Sequence, residues 1–230
     1  MSHGTTPIEV YVESGQTRTF AAALHWPGWS RSGRGEEAAL RALYDYGQRY
    51  ARVLESTSMG FLSPSAVSEL VVVERLPGNA TTDFGAPDAS LSGDTVPVTS
   101  EELARWQVIL RACWQAFDQA LQAADGKSLR KGPRGGGRDL SKIIQHVREV
   151  NAAYVSSLGA KLKAVPEDSP QQAFERMRDA ILAALTASAN GEIPAVGPRG
   201  GLRWTPRYFV RRLAWHELDH AWEIEDRIEA

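Results

Sequence analysis

Apolar and polar positions follow two rhythms along this chain, and the change falls near residue 98. Before it, short β-prone runs dominate. Ile8 to Glu13 and Arg18 to Leu24 are strand candidates separated by Ser14-Gly15-Gln16, a hairpin-like turn. Ala21 to Trp29 runs on into a Gly/Ser/Arg loop. Glu36 to Glu55 takes helical spacing, with Ala39, Leu43, Tyr46, Tyr50 and Val53 recurring every three or four residues. Glu69 to Arg75 is a third strand candidate. Residues 77–98, rich in Pro, Gly, Ser, Thr and Asp, read as a connector.

From residue 99 the period stays helical. Thr99 with Glu102 fits a capping box that opens a helix over 100–124, with Leu103, Trp106, Leu110, Cys113 or Trp114, Phe117 and Leu121 on its apolar stripe. Asp139 caps a second helix over 140–163, with Ile143, Val147, Val150 and Tyr154 on one side. Ser169-Pro170 opens a third, ended by Asn190-Gly191 after Ala189. Thr205-Pro206 repeats the start signal for a last helix that runs nearly to the end. Four amphipathic helices of roughly 20 residues predict a four-helix bundle. The expected fold class is α+β: a small N-terminal β-α-β region over 1–98, then a helical domain over 99–230.

Composition narrows the function classes. An apolar fraction of 43% supports a core without staples. A net charge of −2 argues against a dedicated nucleic-acid binder. The single cysteine, Cys113, excludes a disulfide framework and reads as a buried small apolar residue. No apolar run is long enough for a membrane span, and the N-terminus lacks the pattern of a secretion signal. A cytoplasmic protein is expected. Scarce lysine beside abundant arginine and alanine is what a GC-rich bacterial genome produces.

The chemistry-bearing feature lies on the last helix. Its apolar stripe reads Phe209, Leu213, His216, His220, Ile224. Two imidazoles one turn apart therefore occupy core positions, with Cβ atoms about 5–6 Å apart, a spacing that suits two ligands of one divalent ion. His146 sits between Ile143 and Val150 at the edge of the second helix's stripe. Buried imidazoles need partners, and a shared metal supplies one for all three.

His216-Glu217-Leu218-Asp219-His220 also matches the zinc-protease signature His-Glu-x-x-His. The protease reading is rejected. Ten residues follow His220, too few for a distant glutamate ligand. The glycine and third ligand of the alternative form are replaced by Glu223 and Asp226 in an uninterrupted helical pattern. His146 is already on offer as a third ligand.

These residues resemble the DinB-like (DinB/YfiT-like) metalloenzymes over roughly residues 99–230. Members are four-helix bundles with one histidine ligand on the second helix and a His-x-x-x-His pair on the last. The resemblance implies that His146, His216 and His220 are the metal ligands. It further implies a thiol-dependent S-transferase or isomerase acting on a low-molecular-weight thiol (mycothiol, bacillithiol or glutathione) and an electrophilic substrate. Residues 8–75 resemble the HicB-like fold through their short strands, Trp26-Pro27-Gly28-Trp29, a Ser/Gly loop, a Glu-Glu-Ala-Leu helix start and a further strand. That likeness implies a binding module, and the whole chain is then alternatively a non-catalytic regulator with a metal-holding bundle. No helix-turn-helix is visible, so the expected partners exclude nucleic acid. An accessory or dimerising role for this half makes a homodimer a candidate.

Three neutral histidines leave a fourth position on zinc, the expected metal, though nickel, iron and manganese also accept imidazole. A thiol there becomes a thiolate, and a water there gives the alternative of metal-dependent hydrolysis. Glu149, three residues after His146, is the candidate general base or additional ligand. Asp219 and Glu223 flank His220 and are candidates to orient it. The loops Gly132-Pro133-Arg134-Gly135-Gly136 and Gly197-Pro198-Arg199-Gly200-Gly201 repeat five letters and each precede a histidine-bearing helix. Arg134 and Arg199 in these loops, with Arg207 near the start of the last helix, are the candidate ligand-binding cations. The aromatics Trp106, Trp114, Phe117, Trp215 and Trp222 read as packing residues, as do Trp26 and Trp29.

Overall fold

Alternating and continuous apolar runs in the first 77 residues pair into one mixed sheet. In the computed structural model, which describes residues 7–131, 137–162 and 169–229, β1 (Ile8–Ser14) pairs antiparallel with β2 (Thr19–Ala23). The turn closes with Gly15 N donating to Arg18 O at 2.9 Å. β3 (Ser30–Gly33) extends the antiparallel ladder beyond β2, and β4 (Leu70–Pro77) runs parallel to β1, giving the order β3-β2-β1-β4. Every residue of β2 is buried, as a central strand requires.

Helix α1 (Glu36–Asp45) packs on β2 and β3 and is followed by α2 (Gly47–Leu54). The single helix expected over 36–55 is thus broken at Tyr46-Gly47. A Cβ at Gly47 would lie 2.5 Å from Ser63 Oγ, so the break falls where another segment approaches the backbone closely. Trp29 is the anchor beneath: it is fully buried, donates Nε1–H to Leu43 O at 2.9 Å and stacks on Tyr50 at 5.8 Å. The Gly/Ser/Arg loop contains β3, and the 77–98 connector contains α3 (Ala80–Phe84), capped by Asn79. Beside it Glu13, fully buried on β1, accepts from Thr82 Oγ1 and from the amides of Asp88 and Ala89. That burial of a carboxylate is sustained because its oxygens are satisfied.

The second compact unit begins at Gly93 rather than at 99. The reason is local. Asp94, buried in a short helical turn, makes a two-pronged ion pair with Arg211 of α7 (Pro206–Arg227). The other long helices are α4 (Ser100–Ala124), α5 (Leu140–Leu158) and α6 (Pro170–Ala189). Their starts are set by the Thr99/Glu102 capping box, Asp139 and the Ser169/Gln172 capping box; Thr205 caps α7. α5 stops at Leu158, short of the expected 163, because Gly159 takes the left-handed C-cap conformation at φ 105°.

α7 packs against α4, α5 and α6. It is covered on nearly all sides, so Arg212, His216, Glu217, His220 and Arg227 are buried with its apolar residues. Among the described residues no helix is long and apolar enough to cross a membrane.

Candidate metal centre

His146 stands in the second turn of α5, held there by buried Ile143 and Val147 on either side. His216 and His220 stand one turn apart on α7, at 5% and 8% exposure. The helix packing brings all three rings together: centroids are 5.2 Å apart for 146–216, 5.0 Å for 146–220 and 4.6 Å for 216–220. One ligand atom from each residue lies within 4.8 Å of the others, and His146 Nε2 is 3.3 Å from His216 Nε2. Two nitrogens bound tetrahedrally at Zn–N distances of about 2.0–2.1 Å are about 3.3 Å apart, so this pair already has the spacing of ligands on one small ion.

The electrostatics favour the ligating form of the rings. Burial, reinforced by Arg138 and by His220, pushes the His146 imidazole down to about 4. Burial, followed by His220, His146, Arg212 and Arg138, holds His216 well below the ordinary histidine range. Both rings are neutral at pH 7, the form in which an imidazole ligates a cation. His146 is half-buried and marks the side of the group nearest solvent.

Around the rings the two helices supply aromatic walls and charge. Tyr154 of α5 meets His216 at 5.7 Å and Trp204 at 4.9 Å. The Arg212 guanidinium lies 5.6 Å over Tyr154 and 5.3 Å over Trp215. Outside the group, His220 Nδ1 meets Glu223 Oε2 at 2.8 Å, and Glu223 Oε1 accepts from Arg227 Nη1 at 2.5 Å. Burial opposes ionisation of Glu223, but His220 and Arg227 outweigh it and hold the carboxyl below its usual value.

Among the described residues, none of the other expected site residues joins the clustered ligand set. Glu149 is exposed and accepts from Gln145 Nε2 at 2.8 Å; it is not among the clustered ligand atoms. Arg207 bonds both carboxylate oxygens of Glu102 and the carbonyls of Val96 and Pro97, so its fork ties the start of α7 to that of α4. Arg199 is exposed in a turn closed by Gly200 N to Gly197 O at 2.9 Å. Arg134 and the first Gly-Pro-Arg-Gly-Gly loop lie outside the described residues. Cys113 is fully buried, and that burial raises its thiol far above the range of a nucleophile.

One pair escaped the sequence reading. Asn151 Nδ2 donates to Glu217 Oε1 at 2.6 Å, both residues being almost fully buried. The glutamate that a zinc protease would use as a base is thus committed to α5 and is absent from the ligand group. Asn151 follows Val147 by four residues on the apolar stripe, which was the available signal. Comparison of the chain with family models, with curated proteins and with solved structures finds no match.

Proposed function

We propose that the chain holds one divalent cation, zinc foremost, on His146, His216 and His220, within a DinB-like four-helix bundle. On this reading it acts as a thiol-dependent S-transferase or isomerase. One observation carries the reading: three buried or half-buried imidazoles from two helices converge with ligand atoms inside 4.8 Å. A divalent ion held there supplies Lewis acidity, making a thiol in its remaining position acidic at neutral pH. The chain's own residues do the rest. The neutral rings leave the cation's charge uncompensated, and Arg138 and Arg212 add positive potential, so an anionic sulfur is favoured there. Tyr154 lies against His216 and is itself backed by Trp204. In the net transfer the thiol would release its proton to solvent, the C–S bond would form at an electrophilic carbon, and the leaving group would depart with its electron pair.

Elemental analysis of protein purified without a histidine tag tests the first half. About one metal per chain, lost in His216→Ala/His220→Ala, is expected. Consumption of mycothiol, bacillithiol or glutathione with an electrophile tests the second. A metal-loaded protein inert with every thiol ends the transferase reading and leaves the metal reading intact.

The three strands, paired helices and further strand of the N-terminal unit support a second reading, a HicB-like binding module in a non-catalytic regulator. A protein partner retained by residues 1–98, with no turnover by the full chain, would favour it.

A further inference from the structure

Glu223 stands between two cationic or hydrogen-donating neighbours. Its Oε2 faces His220 Nδ1 at 2.8 Å and its Oε1 accepts from Arg227 Nη1 at 2.5 Å. Arg227 directs its other donors at backbone: Nε to Arg130 O at 2.8 Å and Nη2 to Arg138 O at 2.9 Å. Main-chain bonds run beside them, Arg130 N to Arg227 O at 2.7 Å and Glu229 N to Ser128 O at 3.0 Å. Arg138 immediately precedes Asp139, the N-cap of α5. Contacts therefore pass from an imidazole on α7, through two side chains, to the segment that starts the helix bearing His146.

A neutral imidazole carries one hydrogen on two nitrogens. A carboxylate only accepts, so the Glu223 contact puts that hydrogen on Nδ1 of His220 and the lone pair on Nε2. His216 shows the contrast: its Nδ1 is buried with no hydrogen-bond partner among the described residues. Of the two histidines on α7, His220 is the one whose ring is oriented by a bonded carboxylate.

We propose that Glu223, clamped by Arg227, is the positioning residue of the metal centre: it fixes the tautomer and ring orientation of His220 and thereby sets how tightly a divalent cation is held. This rests on the metal-binding reading above. Glu223 touches no reacting atom, so it acts only through His220. A purely structural role, in which Glu223 and Arg227 merely secure the end of α7, would lower stability and leave cation affinity and coordination unchanged.

Cobalt(II) titration of the full-length apo-protein separates the two. Affinity is read by competition with a chromophoric chelator and geometry by the visible d–d absorption. Wild type is expected to bind one cobalt per chain. Glu223→Ala should weaken binding about 10–100-fold and alter the band. Glu223→Gln, which keeps an acceptor of the same length without the charge, should fall between. Wild-type affinity and band in Glu223→Ala would overturn the proposal. Circular dichroism of the apo-proteins checks folding. Should the alanine variant be unfolded, the isosteric glutamine variant decides: weaker binding with a changed band upholds the role, and wild-type behaviour overturns it. Wild type that binds no cobalt would overturn the metal reading itself, a failure distinct from a loss confined to the variants.

Discussion

Asn151 and Glu217 join, across a buried 2.6 Å hydrogen bond, the same two helices that carry the three histidines. The other oxygens of the pair, Glu217 Oε2 and Asn151 Oδ1, are buried without a hydrogen-bond partner among the described residues. Both are acceptors while the carboxyl is ionised. A proton on Glu217 turns one of them into a donor, which suits a neutral acid facing an amide.

Glu217→Ala is therefore expected to destabilise the helical unit by about 2–4 kcal/mol, from an orphaned amide and a small cavity. Glu217→Gln keeps shape and a donor and should cost under about 1 kcal/mol. Urea unfolding of the two variants checks this; equal losses would contradict it.

The same residue predicts a pH dependence. Burial pushes the Glu217 carboxyl from 4.5 up to about 7. The folded state thus holds its proton where the unfolded chain has lost it. The resulting penalty is absent below about pH 4.5, grows as pH rises, and is complete above about 7, reaching about 3 kcal/mol. Wild type should lose stability relative to Glu217→Gln between pH 4.5 and 7.5. A gap that stays constant over that range would refute it.

The histidines act with the opposite sign. His146 is lowered to about 4 and His216 is also lowered. Below about pH 6.5 the unfolded chain takes up protons that the folded rings refuse, so apo-protein stability should fall from pH 6.5 toward 4. Thermal melts of chelator-treated Glu217→Gln protein at pH 7.5 and 5 measure this without the competing carboxyl. His146→Gln in the same background should flatten the decline.

Asp94 and Arg211 form a pair with side chains only 5% and 10% exposed. Removing one partner takes the two-pronged ion pair from a buried charge. Asp94→Ala should cost about 3–5 kcal/mol, while Asp94→Ala/Arg211→Met should recover much of it. Calorimetry of the single and double variants gives the answer, and a double variant no better than the single would contradict it.

How far these features were legible depended on where their information lay. α4 is found at Ser100–Ala124, the span expected, because its capping box is written in adjacent residues. Ser169-Pro170 and Thr205-Pro206 marked the starts of α6 and α7 in the same way. The histidine group was legible because each ring sat on a helical stripe whose packing sense is local. β3 was not: Ser-Arg-Ser-Gly has no apolar alternation, and only its ladder to β2 makes it a strand. The need for glycine at 47 depends on Ser63, and the placement of Arg207 on Glu102; neither partner is near in sequence. Asn151 and Glu217 each look out of place alone, and only their pairing explains them.

The parallel seam between β1 and β4 joins Ile8 to Leu70 and Ser14 to Pro77. During synthesis the β1–β2–β3 meander can assemble as soon as Gly33 has emerged, but its flank beside β1 stays open until β4 is made. A nascent chain paused between those points presents a bare strand edge, so the N-terminal unit is most exposed to mispairing before its own last strand arrives.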